Sequence, residues 1–323
     1  MRIPFVTTNL QYLAAFWAAL TYLMSGMISG WVSPILPRLQ EPGSWLPLTA
    51  DEASWIVSSM TISCVLPIIG VPIIVDIVGR KVLFIASGLP VFASWLMVLF
   101  ADSAAMLIAS RLVAGLGIGA SICLLPMYVG EVAEAKVRGM LGTVFQFAMS
   151  VGGLVSYCMG PYMSYSAVAI VSAAVPVVFM VGFLWMPESP YFLALRGRDK
   201  DAERALRRLR GAMTEEAIQE ELGVIHKYVK EQRGVQHPGD RPTAVGRRGR
   251  GVRVGREGGR YIALSKLFQV ISDATGIYAV FFLFMASAVV GLVFTFFFLP
   301  ETRGRTFIEI TRHFEGEEDE ETK

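Results

Sequence analysis

Seven stretches of about 20 residues run almost without charge, at Tyr12–Gly30, Ser54–Val75, Val82–Ala101, Met106–Met127, Leu141–Tyr162, Tyr165–Met186 and Ile277–Leu299. A helix of that length crosses the hydrocarbon layer of a bilayer. In that layer every backbone N–H and C=O must find its partner within the segment, which a helix provides. The expected fold class is an all-α membrane protein. Composition agrees: 54% of the 323 residues are hydrophobic and only 17% are charged, against roughly 25% in soluble domains. A net charge of +2 gives no reason to expect nucleic acid as a partner. Cys64, Cys123 and Cys158 all fall inside apolar stretches, so they read as small core residues and not as a disulfide framework or metal site. The first stretch exceeds a signal-peptide core and lacks a small-residue cleavage site, so it is expected to remain as a helix.

Lys and Arg set the orientation. The loops after spans one, three and five hold Arg38 and no other base, whereas those after spans two and four hold Arg80, Lys81, Lys136 and Arg138. Pro187 to Lys266 carries 18 of the 29 basic residues, which predicts a cytoplasmic location for that stretch and for the N-terminus. Within it two amphipathic helices are expected. Thr214 can cap the second, Glu215 and Glu216 suit its first turn, and Ile218, Leu222, Ile225 and Val229 share one face.

Between Gly234 and Arg260 the character changes to 27 residues with eight Gly and seven Arg and no apolar period, a segment expected to be disordered. An RNA-binding Gly/Arg segment is one reading of it, and a spliced junction is the other. The chain thus divides into a six-span bundle (1–190), amphipathic helices (191–233), a Gly/Arg junction (234–263), a remnant of further spans (264–300) and a charged tail (301–323). Phe183-Leu-Trp-Met-Pro-Glu-Ser189 and Phe296-Phe-Phe-Leu-Pro-Glu-Thr302 form a weak internal repeat of the kind seen in duplicated transporters.

The polar residues of interest lie at the rim and inside the spans. In Asp76-Ile-Val-Gly79-Arg80-Lys81, Gly79 permits a tight turn and Asp76 can accept from a neighbouring Arg. Glu131, Glu134 and Arg138 follow span four in a parallel pattern. Such carboxylates and guanidiniums can lock helices in one conformation and release them in another. Arg111 is the one charge within the seven stretches, and either snorkels to the outer interface or joins the gating charges. Span one has no Asp or Glu to pair with it or take up a proton, which favours uniport over proton symport. Gln146, one turn into span five, offers an amide that suits sugar hydroxyls, or else glues helices together. Gly26-xxx-Gly30 and Gly115-xxx-Gly119 read as sites of close helix packing. No nucleophile–base pair, metal-ligand cluster or phosphate loop stands out, so neither enzymatic activity nor a cofactor is expected.

Taken together, the ordered motifs resemble the sugar porter family of the major facilitator superfamily, and within it the facilitated trehalose transporters. They are Gly30-Trp-Val-Ser-Pro34, Glu52-Ala-Ser-Trp55, Asp76-x-x-Gly79-Arg80-Lys81, Tyr128 to Gly139, Pro187-Glu-Ser-Pro-Tyr-Phe-Leu193 and Pro300-Glu-Thr-Arg-Gly-Arg305. The resemblance implies an N-terminal six-helix major facilitator bundle with cytoplasmic helices and one further transmembrane helix. It implies facilitated transport of trehalose or a hexose by alternating access across a plasma membrane, with sugar and lipid bilayer as partners. Gln146 then matches the family's sugar-contacting Gln. Asp76, Arg80, Lys81, Glu131, Arg138, Glu188, Glu301 and Arg303 match its charge network. Family members have twelve spans, whereas here the Gly/Arg stretch stands between the sixth helix and the end of the eleventh. The alternative is therefore a non-transporting fragment, or a half-transporter that pairs with a full-length relative.

Overall fold

The computed structural model describes residues 10–41, 43–211, 214–234 and the single position 289. The seventh span, the Gly/Arg junction, Glu301 and Arg303 lie outside the described residues. Six long helices come first: α1 (Leu10–Gln40), α2 (Ala50–Val78), α3 (Arg80–Leu99), α4 (Ala104–Val132), α5 (Ala135–Tyr162) and α6 (Tyr165–Phe183). All six are long and apolar enough to cross a membrane. Three shorter helices follow, α7 (Pro190–Leu195), α8 (Asp199–Arg210) and α9 (Glu215–Gly234).

Side chains fix where the helices begin. Thr49 accepts from the Glu52 N–H while Glu52 reaches back to the Thr49 N–H, a capping box that opens α2. Ser103, Ser164 and Ser189 cap α4, α6 and α7 in the simpler way. Gly79 separates α2 from α3 with φ at 105°, a conformation that favours Gly. The helices also outrun the apolar stretches. α1 continues ten residues past Gly30, because Trp31, Ile35, Leu36 and Leu39 keep one face buried to the helix end.

The bundle is held by close backbone approach and by aromatic packing. α1 lies against α5, α6 and α4, while α4 also packs on α2 and α3. A Cβ at Gly26 would stand 1.9 Å from the Met149 carbonyl of α5, and one at Gly115 would stand 2.4 Å from the Met60 carbonyl of α2. Both small-residue pairs read in the sequence are therefore contact points between helices. Phe84, Tyr128, Phe179 and Phe183 are fully buried and pack edge-to-face or tilted in the half of the bundle nearer the basic loops. Cys64 and Cys123 are half-buried and Cys158 is exposed on α5, so the last is not the core residue that its apolar surroundings suggest.

On the basic end sits a small second core. Ile218, Leu222, Ile225 and Val229 are all buried, as their shared face predicts, and Leu222, Ile225 and Val229 pack with Leu193, Ala194, Ala202 and Ala205. Arg210 fastens this layer to the bundle. Its Nη1 donates to the Val132 carbonyl at the end of α4 at 2.8 Å, and its Nη2 pairs with Glu221 of α9 at 2.6 Å.

Candidate sugar site and rim network

The turn at Gly79 places Arg80 at the start of α3 directly against the end of α4. The Arg80 side chain is 7% exposed, and its Nε donates to both oxygens of Glu131, at 3.2 and 3.0 Å. Its Nη1 pairs with Asp76 at 2.9 Å, and its guanidinium stands 5.2 Å over the Phe192 ring of α7. Four elements thus meet on one cation. Glu188 completes the cluster as an acceptor: its Oε1 takes the backbone N–H of Lys81 at 2.9 Å and that of Ser189 at 3.0 Å. The Lys81 ammonium reaches across to the Leu184 carbonyl at 2.6 Å. A Cβ at residue 79 would come within 2.7 Å of Glu188 Oε2, so glycine serves both the turn and the carboxylate.

Asp76, Arg80, Lys81, Glu131 and Glu188 are thus brought together, as the sequence predicts. Tyr128, whose hydroxyl donates to the Pro187 carbonyl at 2.9 Å, and Ser189, fully buried, belong to the same knot, although the motifs that contain them gave neither a role. Arg210 was also missed. Its signal was available, because Arg210 lies four residues after Leu206 and eight after Ala202, on the buried face of α8. Replacing Ser189 with Ala removes the cap of α7 and is expected to cost about 1 kcal/mol, read as a lower Tm of the purified chain. Outside the spans, burial pushes the Tyr191 phenol above its ordinary value, with Arg138 opposing, so Tyr191 stays a neutral donor.

Further into the bundle, a cavity of about 320 Å³ opens between α1, α4 and α5. Its wall combines Tyr22, Leu125, Val129 and Phe145 with the Gln146 amide and Arg138, whose Nε also donates to the Ala133 carbonyl at 3.0 Å. Gln146 is exposed on this face of α5, and a flat ring beside an amide suits a polyhydroxylated ring with two apolar faces. Arg138 therefore stands between the rim and the cavity.

Arg111 stands apart from both. It does not snorkel: it is 3% exposed, its Nη1 donates to the Ile28 carbonyl of α1 at 2.9 Å, and its guanidinium stacks 4.6 Å over the Trp31 ring. Those partners come from a helix more than 70 positions away in sequence, which no local pattern could supply.

The sequence model described as "Sugar (and other) transporter" matches residues 14–243 and 261–314. The facilitated trehalose transporter Tret1 of Polypedilum vanderplanki is 31% identical over 225 residues, 69% of this chain and 44% of that protein. Tret1 of Apis mellifera ligustica is 32% identical over 221 residues, 68% of this chain and 43% of that protein. The chain thus spans less than half the length of these relatives. Among solved structures, the proton:xylose symporter XylE bound to 6-bromo-6-deoxy-D-glucose aligns with a TM-score of 0.62 at 20% identity, over 69% of this chain and 54% of the other. XylE from E. coli in a partially occluded inward-open conformation aligns at 0.61 and 21%, over 70% and 61%. These structures share the major facilitator fold. Six membrane-length helices in that fold, the rim network and a family match over residues 14–243 and 261–314 lead to one assignment: the chain belongs to the Sugar (and other) transporter family.

Proposed function

We propose that the chain contributes to facilitated transmembrane transport of trehalose or a hexose, by alternating access and without proton coupling. The observation that carries this reading is the cavity that Gln146 faces, apolar on its walls and furnished with one amide and one guanidinium. Uniport is supported by Arg111, which rests on a carbonyl and an indole where a proton-coupled site needs a titratable acid. In this reading the basic rim and the N-terminus face the cytoplasm of a plasma membrane, and opening and closing of the Arg80–Glu131 contact accompanies the change of state.

Purified chain reconstituted into liposomes tests it by uptake of labelled trehalose and glucose, with and without a pH gradient. Saturable uptake indifferent to the gradient is expected. Uptake equal to that of empty liposomes overturns transport by this chain alone. Gln146→Ala is expected to raise the KM about tenfold with normal membrane insertion, the worth of one or two neutral hydrogen bonds. An unchanged KM removes Gln146 from the site.

A second reading is favoured by the exposure of Gln146, Thr143 and Ser150 on α5, polar groups that suit a protein neighbour or water better than lipid. Here the chain pairs with a full-length relative that supplies the other wall of the cavity. Co-purification of a tagged chain with a twelve-span relative, and uptake restored only by both, distinguishes it.

A further inference from the structure

Buried donors without acceptors cluster at one place in the outer half of the bundle. Among the described residues, Arg111 Nε and Nη2 and Trp31 Nε1 have no hydrogen-bond partner, and the two side chains are stacked on one another. Trp31 is 1% exposed and Arg111 3%. None of the described acceptors nearby takes these donors. The Ile28 carbonyl takes Arg111 Nη1, and Tyr165, stacked on Trp31, donates its own hydroxyl proton to the Val98 carbonyl at 2.7 Å. No acid lies in α1 between Tyr12 and Gly30, and Asp102, one residue before the cap of α4, is exposed and bonded to the Ser103 hydroxyl. The buried guanidinium therefore has one carbonyl and one indole face as its compensation among the described residues. Three donor nitrogens without acceptors and one positive charge without an anionic partner among the described residues call for a single remedy, because water could satisfy the donors yet would leave the charge.

We propose that Arg111 and Trp31 hold a small monovalent anion, for which chloride is the abundant candidate. The ion accepts from Arg111 Nε and Nη2 and from Trp31 Nε1, and it takes the place of the carboxylate that α1 lacks. Because Trp31 of α1 packs on Trp95 of α3 and Tyr165 of α6 while Arg111 belongs to α4, an ion held by the pair stabilises the folded bundle and is not cargo. This inference does not depend on transport.

Thermal unfolding of the purified full chain at constant ionic strength tests it, with gluconate exchanged stepwise for chloride. The Tm is expected to rise saturably by about 5 °C, and bromide is expected to substitute. Arg111→Met abolishes the rise. Trp31→Phe keeps the ring under the guanidinium but removes its N–H, and is expected to move the midpoint to about tenfold higher chloride. Equal Tm in chloride and gluconate overturns the proposal, since the donors are then held by water. So does an equal rise in wild type and Arg111→Met, which marks a general salt effect. If Arg111→Met does not fold, Trp31→Phe decides: an unchanged midpoint overturns the site.

Discussion

Arg80→Met is expected to lower the stability of the bundle by about 3–5 kcal/mol, the cost of leaving a buried carboxylate without its cation. The side chain of Glu131 is 19% exposed and accepts from Arg80 through both oxygens, whereas that of Asp76 is 53% exposed. Most of the loss therefore belongs to Glu131. For a chain this size the Tm in detergent should fall by about 10 °C. Asp76→Asn should cost less than about 1 kcal/mol, because water screens that pair. Combining Arg80→Met with Glu131→Gln should recover much of the loss, as removal of both charges ends the desolvation problem. If Asp76→Asn is as damaging as Arg80→Met, the assignment of the energy to Glu131 is wrong.

Gly26→Val should prevent α1 from seating on α5 altogether. The nearest atoms to its Cβ are backbone, the Met149 carbonyl oxygen at 1.9 Å and the Gly153 nitrogen at 2.9 Å, and neither can rotate away. The helices must separate by roughly an ångström or more along a packed seam, which forfeits contacts on both sides and costs more than about 4 kcal/mol. Gly153→Ala is the control, since its Cβ would meet only the Gly26 carbonyl at 3.8 Å. A monodisperse, cooperatively unfolding protein for Gly153→Ala and aggregated material for Gly26→Val are the expected results on size exclusion. A Gly26→Val protein with wild-type Tm would contradict the packing described here.

Particular residues show how far the sequence could be read. Ile218, Leu222, Ile225 and Val229 are buried as their spacing requires, because a helix turns by a fixed angle whatever surrounds it. Gly79 turns the chain where the rim motif places it. Local chemistry failed at α1, where the helix runs to Gln40, past the Gly30 that closes the apolar stretch. Its extension depends on what the far turn packs against. Cys158 follows the same logic in reverse: its neighbours in sequence are apolar, yet its side chain points away from the bundle.

Hydropathy alone marked seven membrane-length stretches, and the first six, those within the described residues, are helices long and apolar enough to cross a membrane, since a helix satisfies its own backbone hydrogen bonds in lipid. The ordered rim motifs likewise named the residues of the charge cluster before any geometry was known. Tertiary structure decided which of those charges touch: Arg80 joins Glu131 across 51 positions, Arg210 reaches Val132 across 78, and Arg111 rests on Ile28 across 83. Hydrophobic period is a property of neighbouring residues, whereas the partner of a buried charge depends on which distant helix packs beside it.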